Sequence, residues 1–143
     1  ILYTLGYRDW RPQDIKDVVE ELDAVLVDVR ILPSSRNKAF TKSALESLLV
    51  DRYRHLRPCG NENFKGTMGP DTVLVSDAAC YEGVRALTRL GPVVLMCMCS
   101  DHASCHRNDV AKLVSGRDGL VVAHLYPPAV NIPSARAFQQ RLD

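Results

Sequence analysis

Residues 93–107 have the sequence VVLMCMCSDHASCHR, in which an apolar run leads into three cysteines, two histidines and an arginine. The apolar run predicts a buried strand, and a helix is predicted directly after it, from about Ser104 to Val114. In open α/β sheets, ligands bind beyond the carboxyl ends of the strands. The stretch therefore predicts both the class of fold and the position of a functional site.

Strand-like and helix-like segments alternate on both sides of this stretch. Further strands are predicted at Leu2–Leu5, Ala24–Val29, Tyr53–Leu56 and Leu120–Leu125, with a short extra one at Val73–Val75. Helices are predicted after Pro12, from the N-cap Thr41 to Leu49, and over Tyr81–Leu90. This alternation predicts a single-domain, three-layer α/β/α fold of Rossmann-like type with a mainly parallel central sheet.

Two segments fall outside the regular pattern. Arg57–Pro70 is rich in Gly and Pro, which predicts an exposed loop and a candidate mobile lid. The α/β domain is expected to occupy residues 1–126, followed by a tail over 127–143 with one helix, Ala135–Leu142.

Composition narrows the class of protein. A chain of 143 residues that is 46% hydrophobic fits one domain with a sizeable core. The net charge of +1 lacks the strong basic field of a nonspecific nucleic-acid binder. The odd number of cysteines, five, and their clustering do not resemble a disulfide framework, so we expect a reducing cytoplasm. No apolar run approaches the roughly 18 residues of a membrane span, and no signal peptide is expected.

A first polar constellation follows the second predicted strand. Asp28 and Arg30 alternate onto one face, and Ser35 and Arg36 come soon after. A buried acid is costly unless it is paired, so Asp28 and Arg30 are expected to form a structural ion pair that orders the loop. Alternatively, Arg30 and Arg36 hold an anion.

A second constellation, Cys105-His106-Arg107, opens the predicted helix. Free amides and the helix dipole favour an anion there and lower the pKa of a thiol. Cys105 is therefore the candidate nucleophile, and the alternative is an inert buried cysteine.

A third constellation combines Cys97 and Cys99, which share one face of a strand, with Cys105 and His106. These ligand types suit tetrahedral zinc, but the usual spacing of two residues between paired cysteines is absent. We therefore predict no metal or other cofactor, with zinc as the alternative.

Scattered aromatic and histidine side chains form a fourth group: Tyr3, Tyr7, Trp10, His55 and His124. Most are expected to be packing residues with one polar tip. His55 and His124 lie near strand ends, where they can reach a shared cleft.

Several familiar sites are excluded. The three cysteines of the stretch lack an Arg six positions later, which excludes a thiol phosphatase or rhodanese loop. The sequence also lacks the glycine patterns of dinucleotide sites and P-loops and the G-x-S-x-G pattern of hydrolase elbows.

In combination, these residues resemble the DUF488 family, a domain of unknown function. The likeness rests on Tyr3-Thr4-Leu5-Gly6-Tyr7, Leu26-Val27-Asp28-Val29-Arg30, Pro33, Ser35-Arg36, Phe40-Thr41-Lys42, Ala44-Leu45, His55-Leu56, Leu95-Met96-Cys97, Cys105-His106-Arg107 and Val122-Ala123-His124-Leu125. The family usually has a Glu two residues after the position of Cys97, whereas this chain has Cys99. The region Arg57–Asp71 is also shorter than in many members.

The resemblance implies an α/β fold with a cleft lined by Asp28, Arg30, Arg36, Cys97, Cys105, His106 and Arg107, and it implies no particular reaction. We consider two functions. One is an enzyme for a small anionic, nucleotide- or nucleobase-like substrate, in which Cys105 is the nucleophile and His106 or His124 carries the proton. The other catalytic candidates are Cys97 and Asp28. The candidate anion-binding residues are Arg30, Ser35, Arg36 and Arg107, and the rest of the cleft is expected to be lined by Tyr7, His55, Cys99 and His124. The other function is a non-catalytic module that binds a nucleotide or a nucleic acid; no membrane partner is expected.

Overall fold

The centre of the molecule is a sheet of mostly parallel strands. The computed structural model describes residues 1–128 and the backbone of 139–142. Within these, the strands are β1 (Leu2–Gly6), β2 (Val25–Asp28), β3 (Tyr53–His55), β4 (Val93–Cys97), β5 (Val122–Tyr126) and β6 (Gln139–Leu142). Their order in the sheet is β3-β2-β4-β1-β5-β6, with β6 alone antiparallel.

Four helices in the described residues cover the two faces of the sheet. They are α1 (Pro12–Glu21), α2 (Lys42–Leu49), α3 (Asp77–Thr88) and α4 (His106–Asp118). The buried positions of α1 and α2, such as Ile15 and Leu45, pack with Val94 and Met96 of β4. Those of α3 and α4, such as Val84 and Val110, pack with Val93 and Leu95 on the other face. The predicted three-layer α/β/α fold is therefore confirmed.

The apolar run at the start of residues 93–107 forms β4, the strand at the middle of the sheet and its covering helices. All five residues of β4 are buried, because the strand has neighbours on both sides and helices over both faces. Its side chains alternate between the two cores, as the period of a strand requires. The apolar run is continuous because neither face meets water.

Chain connections create a crevice between β2 and β4. From β2 the chain leaves through α2 toward β3, whereas from β4 it leaves through α4 in the opposite direction, toward β5. Right-handed crossovers place these two helices on opposite faces of the sheet. The two connections therefore diverge, and such a switch point is where open α/β sheets bind ligands.

Three predictions about local structure need correction. Arg57–Pro70 is not exposed throughout, because Cys59, Gly60 and Asn63 are buried; only Phe64–Pro70 is a continuous exposed run. The strand predicted at Val73–Val75 reduces to one bridge between Asn61 and Leu74.

The tail also differs from the prediction. The helix predicted over Ala135–Leu142 is wrong for residues 139–142, which pair with β5 as an antiparallel strand, and 135–138 lie outside the described residues. The open edge of β5 supplies backbone partners that local helix propensity does not anticipate. Among the described residues, every helix is too short or too polar to cross a membrane.

Candidate functional site

A cavity of about 460 Å³ opens at the crevice between β2 and β4. Its walls come from the end of β4, from the segments that follow β1, β2, β3 and β4, and from the start of α4. Tyr7, Arg30, Cys97, Cys99, Cys105 and His106 line it, together with Ile31, Leu32, Ser34, Asn61, Phe64, Met98 and Ser104. Six of the predicted site residues therefore share one pocket.

Three free thiols form the core of this pocket. Cys97 ends β4, Cys99 lies two residues later, and Cys105 is the N-cap residue of α4. Their sulfur atoms all lie within 4.8 Å of one another. Cys97 and Cys105 are buried and Cys99 is half-buried, so the cluster is desolvated on one side and open to the pocket on the other.

The thiols do not share protons equally. Hydrogen bonding to Cys105 raises the pKa of Cys97 to about 12. The same interaction, with Cys97 and burial adding to it, raises the pKa of Cys99. The hydrogen bonds that Cys97 and Cys99 donate to Cys105 lower the pKa of Cys105, and the backbone N–H of Arg107 contributes in the same direction. Of the three thiols, Cys105 is therefore the one whose ionisation the surroundings favour, and a helix N-terminus acts in the same direction.

His106 is held beside this cluster by a hydrogen bond to the chain after β2. Its Nε2 donates to the carbonyl oxygen of Val29 at 2.7 Å, and its Nδ1 lies 3.6 Å from the sulfur of Cys97. Burial lowers the pKa of His106, but hydrogen bonding to Cys105 and to Val29 raises it more, so the net shift is upward. The ring can therefore present a proton to the thiols from Nδ1.

Across the pocket, Asp28 and Arg30 form a buried ion pair. The carboxylate accepts from Nε of Arg30 at 2.9 Å and from Nη2 at 2.7 Å, and the phenol of Tyr53 donates to it at 2.6 Å. Burial raises the pKa of Tyr53, and the hydrogen bond to Asp28 raises it further. The charge of Arg30 is thus balanced within the protein.

The aromatic ring of Tyr7 packs between Phe40 and this ion pair. Its ring stacks on Phe40 at 4.4 Å, and the guanidinium of Arg30 lies over its face at 5.2 Å.

Tyr53 was not among the predicted site residues, because its role depends on β3 pairing with β2, which no local pattern reveals.

Arg107 turns away from the pocket into the protein. It is 1% exposed, and its Nη1 donates to the carbonyl oxygen of Cys99 at 2.5 Å. Gly6 allows this arrangement, since a Cβ there would lie 1.6 Å from the same carbonyl oxygen. Arg107 thereby fixes the backbone that carries Cys99.

The other members of the predicted clamp and cleft lie around the pocket rather than in it. Arg36 is exposed, and the hydroxyl of Ser35 accepts from the backbone N–H of Asn37. The Nε2 of His55 donates to the carbonyl oxygen of Arg30 at 2.7 Å. His124 is buried, bonded to Thr4 and stacked on His102. The structure therefore does not bring Arg30, Arg36 and Arg107 together.

Apolar side chains that sequence reasoning missed surround the mouth of the pocket. Leu32, Phe64 and Met98 line it and are exposed. The one available signal was Phe64, a large aromatic residue in a Gly-rich loop. A neighbouring cavity of about 690 Å³ shares Asn61, Phe64, Ser104 and His106 with the pocket and is also lined by Lys65.

The two remaining cysteines, Cys59 and Cys80, form a disulfide that joins the turn after β3 to α3. The cysteine pattern predicted no disulfide framework, and this bridge departs from that prediction. The two cysteines are 21 residues apart in sequence, and their sulfur atoms meet only when α3 packs against the turn. Local spacing therefore carried no signal for it.

Comparison with known proteins gives a family and nothing finer. No curated protein and no solved structure matches the chain. Residues 15–114 match the family model described as domain of unknown function DUF488. This match spans more than half of the chain and includes β2, β4 and the first part of α4. The protein therefore belongs to the DUF488 family.

Proposed function

We propose that the protein is a thiol-dependent enzyme whose pocket takes a small anionic, nucleotide- or nucleobase-like substrate, with Cys105 as the nucleophile. The observation that carries the proposal is the position of Cys105. It lines the pocket at the switch point as the N-cap residue of α4, with the thiols of Cys97 and Cys99 close to its sulfur. A thiol at a helix N-terminus with donors around it is the usual setting of a reactive cysteine.

The shape of the pocket supports a substrate with an apolar body and a polar extension. Leu32, Phe64 and Met98 give the mouth an apolar rim on which a flat ring can stack. The adjoining cavity adds Lys65 and the polar side chains of Asn61 and Ser104. A nucleobase with an attached polar group combines these two properties.

In the proposed reaction, the Cys105 thiolate attacks an electrophilic carbon or phosphorus of the substrate. A bond from sulfur to that atom forms, and the bond to the leaving group breaks with its electron pair on the leaving group. His106 gives the departing group a proton from Nδ1. Water then attacks the intermediate, returns a proton to His106 and releases Cys105 as thiolate.

The arginines that the sequence predicted as an anion clamp do not meet in the pocket, so other positive groups must attract the anion. Asp28 balances Arg30, and Arg107 is turned inward. Lys65 remains a cation on the wall of the adjoining cavity, with Asp71 on the same wall. We therefore assign the first contact with the anion to Lys65 and the start of α4.

Two small alkylating reagents test this proposal. Reduced, chelator-treated protein is labelled with iodoacetate, an anion, and with iodoacetamide, its neutral analogue, and each cysteine is followed by peptide mass spectrometry. The proposal predicts that the iodoacetate-to-iodoacetamide rate ratio at Cys105 is higher in the folded than in the urea-unfolded protein. Lys65→Gln lowers this ratio, whereas Arg89→Gln, at an exposed position at the end of α3, leaves it unchanged. Slow labelling of Cys105 with an unchanged ratio contradicts the proposal.

A non-catalytic module that binds a nucleotide or a nucleic acid is the second candidate. The residue that favours this second function is Cys99. It stands where the family resemblance predicts a Glu, so a possible acid or base of the reaction is missing. Thermal shift with adenosine and guanosine monophosphates, followed by screening for turnover, separates the two. A binding module should bind both nucleotides equally well in wild type and in Cys105→Ser, and it should convert neither of them to a product.

We further propose that the protein works in the cytoplasm. Disulfides form mainly in oxidising compartments, and Cys97, Cys99 and Cys105 are all free although their sulfur atoms lie within 4.8 Å of one another. The Cys59–Cys80 disulfide is compatible with this location because both residues are fully buried. Mass spectrometry of rapidly acid-quenched cells tests it, since an oxidised cluster contradicts a reducing location.

A further inference from the structure

The three free thiols also have the arrangement of a metal site. We infer that Cys97, Cys99 and Cys105 together bind one thiophilic metal ion of the zinc class. Their sulfur atoms lie within 4.8 Å of one another. A tetrahedral zinc ion with bonds of about 2.3 Å to sulfur separates its thiolate ligands by about 3.8 Å. Closure of the cluster onto a metal ion therefore requires shifts of about 1 Å or less.

The backbone that carries the ligands is fixed before any ion arrives. Cys97 belongs to the central strand β4, and the peptide after Cys99 is held by Arg107. Gly6 leaves the space into which the carbonyl of Cys99 fits. A metal site needs each of its ligands held in place, and this fixed backbone meets that need at Cys97 and Cys99.

The donor set selects the class of ion. Among the described residues, the cluster contains thiols and no carboxylate, so it suits zinc or another soft ion rather than magnesium or calcium. His106 supports the ligands without joining them, because its Nδ1 contacts Cys97 but is not within 4.8 Å of the whole set. Its bond to the carbonyl of Val29 fixes the ring, as outer partners of metal sites do.

The third thiol stands where the resemblance predicts a Glu. With Cys99 at that position, the cluster of this chain consists of three thiols. All three cysteines line the pocket, so a fourth ligand for the ion can come from the pocket.

Metal binding at this site also has a consequence that rests on the proposed function. A bound ion holds Cys105 as a ligand, so it blocks the proposed nucleophile until the metal is removed. The metal site would then regulate the enzyme. The binding of metal itself does not depend on whether Cys105 performs catalysis.

Zinc and cobalt titrations of the full chain test the inference. Reduced, chelator-treated protein is titrated with Zn²⁺ in competition with a chromophoric chelator, and separately with Co²⁺, while mass spectrometry checks that Cys59–Cys80 remains intact. We expect one ion per chain and a sulfur-to-cobalt charge-transfer band. Absence of that band, or zinc binding no tighter than to the urea-unfolded chain, overturns the inference.

Single variants locate the site. Because Cys99 is half-buried, Cys99→Ser is the substitution least able to disturb the fold. It should weaken zinc binding by more than the roughly 10–100-fold typical of an outer partner, and His106→Gln should fall within that range. Met98→Leu, a neighbouring residue that carries sulfur but contributes no ligand, should leave affinity unchanged. Unchanged zinc affinity in both Cys99→Ser and Cys105→Ser overturns the site.

Alkylation separates this inference from the proposed function. Fast labelling of Cys105 without zinc binding removes the metal site and leaves the enzyme. Tight zinc binding with slow labelling of Cys105 in the metal-free protein does the reverse. If both hold, added Zn²⁺ should protect Cys105, and chelator should restore its labelling.

Discussion

The polar groups at the carboxyl ends of β2 and β4 lie at the same crevice, but their hydrogen-bond partners differ in kind. At the end of β2, Asp28 has Arg30 and Tyr53 as partners, and each of these contacts joins a donor to a charged acceptor. At and after the end of β4, Cys97, Cys99 and Cys105 have mainly one another. A thiol is a weak hydrogen-bond donor and a weak acceptor, so this second cluster gains little from its internal contacts.

The comparison separates a cluster that holds the fold from one that is available for chemistry. Charged partners in a buried pair stabilise each other, and removal of one leaves the other unpaired. Thiols packed against thiols retain their capacity to bind a metal or to react. Substitutions at the end of β2 should therefore reduce stability more than substitutions among the thiols.

Asp28→Asn should produce the largest loss of stability. The substitution leaves the buried guanidinium of Arg30 without its counter-charge, and breaking a buried pair costs about 3–5 kcal/mol. Urea unfolding measures the free energy. The matched control is Asp14→Asn at the pair with the exposed Arg11, for which a much smaller change is expected because solvent screens the pair. Equal losses in the two variants would mean that the β2 pair does not hold the fold.

Tyr53→Phe should cost about 1.5–3 kcal/mol, because it removes a hydrogen bond to a charged group. The phenol should also keep its proton above about pH 10, where an ordinary tyrosine ionises. Burial and the adjacent carboxylate both raise the pKa of Tyr53, since ionisation would place a second anion beside Asp28.

Ultraviolet difference spectra against pH measure the ionisation of Tyr53. The number of tyrosines that ionise in the folded protein should be the same in wild type and Tyr53→Phe. One fewer ionising tyrosine in the variant would show that Tyr53 titrates normally.

Gly6→Ala should cost about 1–3 kcal/mol by forcing atoms into a filled space. The new Cβ would meet the carbonyl oxygen of Cys99, which is backbone and cannot rotate away. The control is Gly116→Ala in α4, where no atom lies within 4 Å of an added Cβ and a gain of about 0.5–1 kcal/mol is expected. Thermal unfolding of the two variants should therefore move in opposite directions, and a neutral Gly6→Ala would refute the close approach.

Cys99→Ser should have the smallest effect on stability, within about 0.5 kcal/mol, since Cys99 is half-buried and serine keeps a hydrogen-bond donor at that position. Urea unfolding of metal-free protein measures the change. A loss as large as that of Asp28→Asn would end the distinction between the two clusters.

Much of the fold could be predicted from the sequence because its signals are local. The apolar run of β4, the N-cap Thr41 and the Pro at the start of α1 each act through their neighbours. The position of the site could also be predicted, since polar residues directly after a buried strand of such a sheet must lie at its carboxyl edge.

What could not be predicted depends on contacts between distant segments. An arginine in the first turn of a helix can point outward or inward, and Arg107 points inward because Gly6 and the carbonyl of Cys99 create its partner site. The partnership of Tyr53 with Asp28 required the order of β3 and β2 in the sheet. The Cys59–Cys80 bridge likewise required α3 to be packed.

Site-resolved alkylation of the metal-free protein at neutral pH tests whether Cys105 is the reactive thiol of the pocket. Iodoacetamide is added to reduced, chelator-treated protein, and the rates at Cys97, Cys99 and Cys105 are compared with those of the urea-unfolded chain. Cys105 should react fastest and faster than in the unfolded chain, while Cys97 and Cys99 should react more slowly than when unfolded. Equal rates at the three cysteines, or protection of Cys105 alone, would contradict that role.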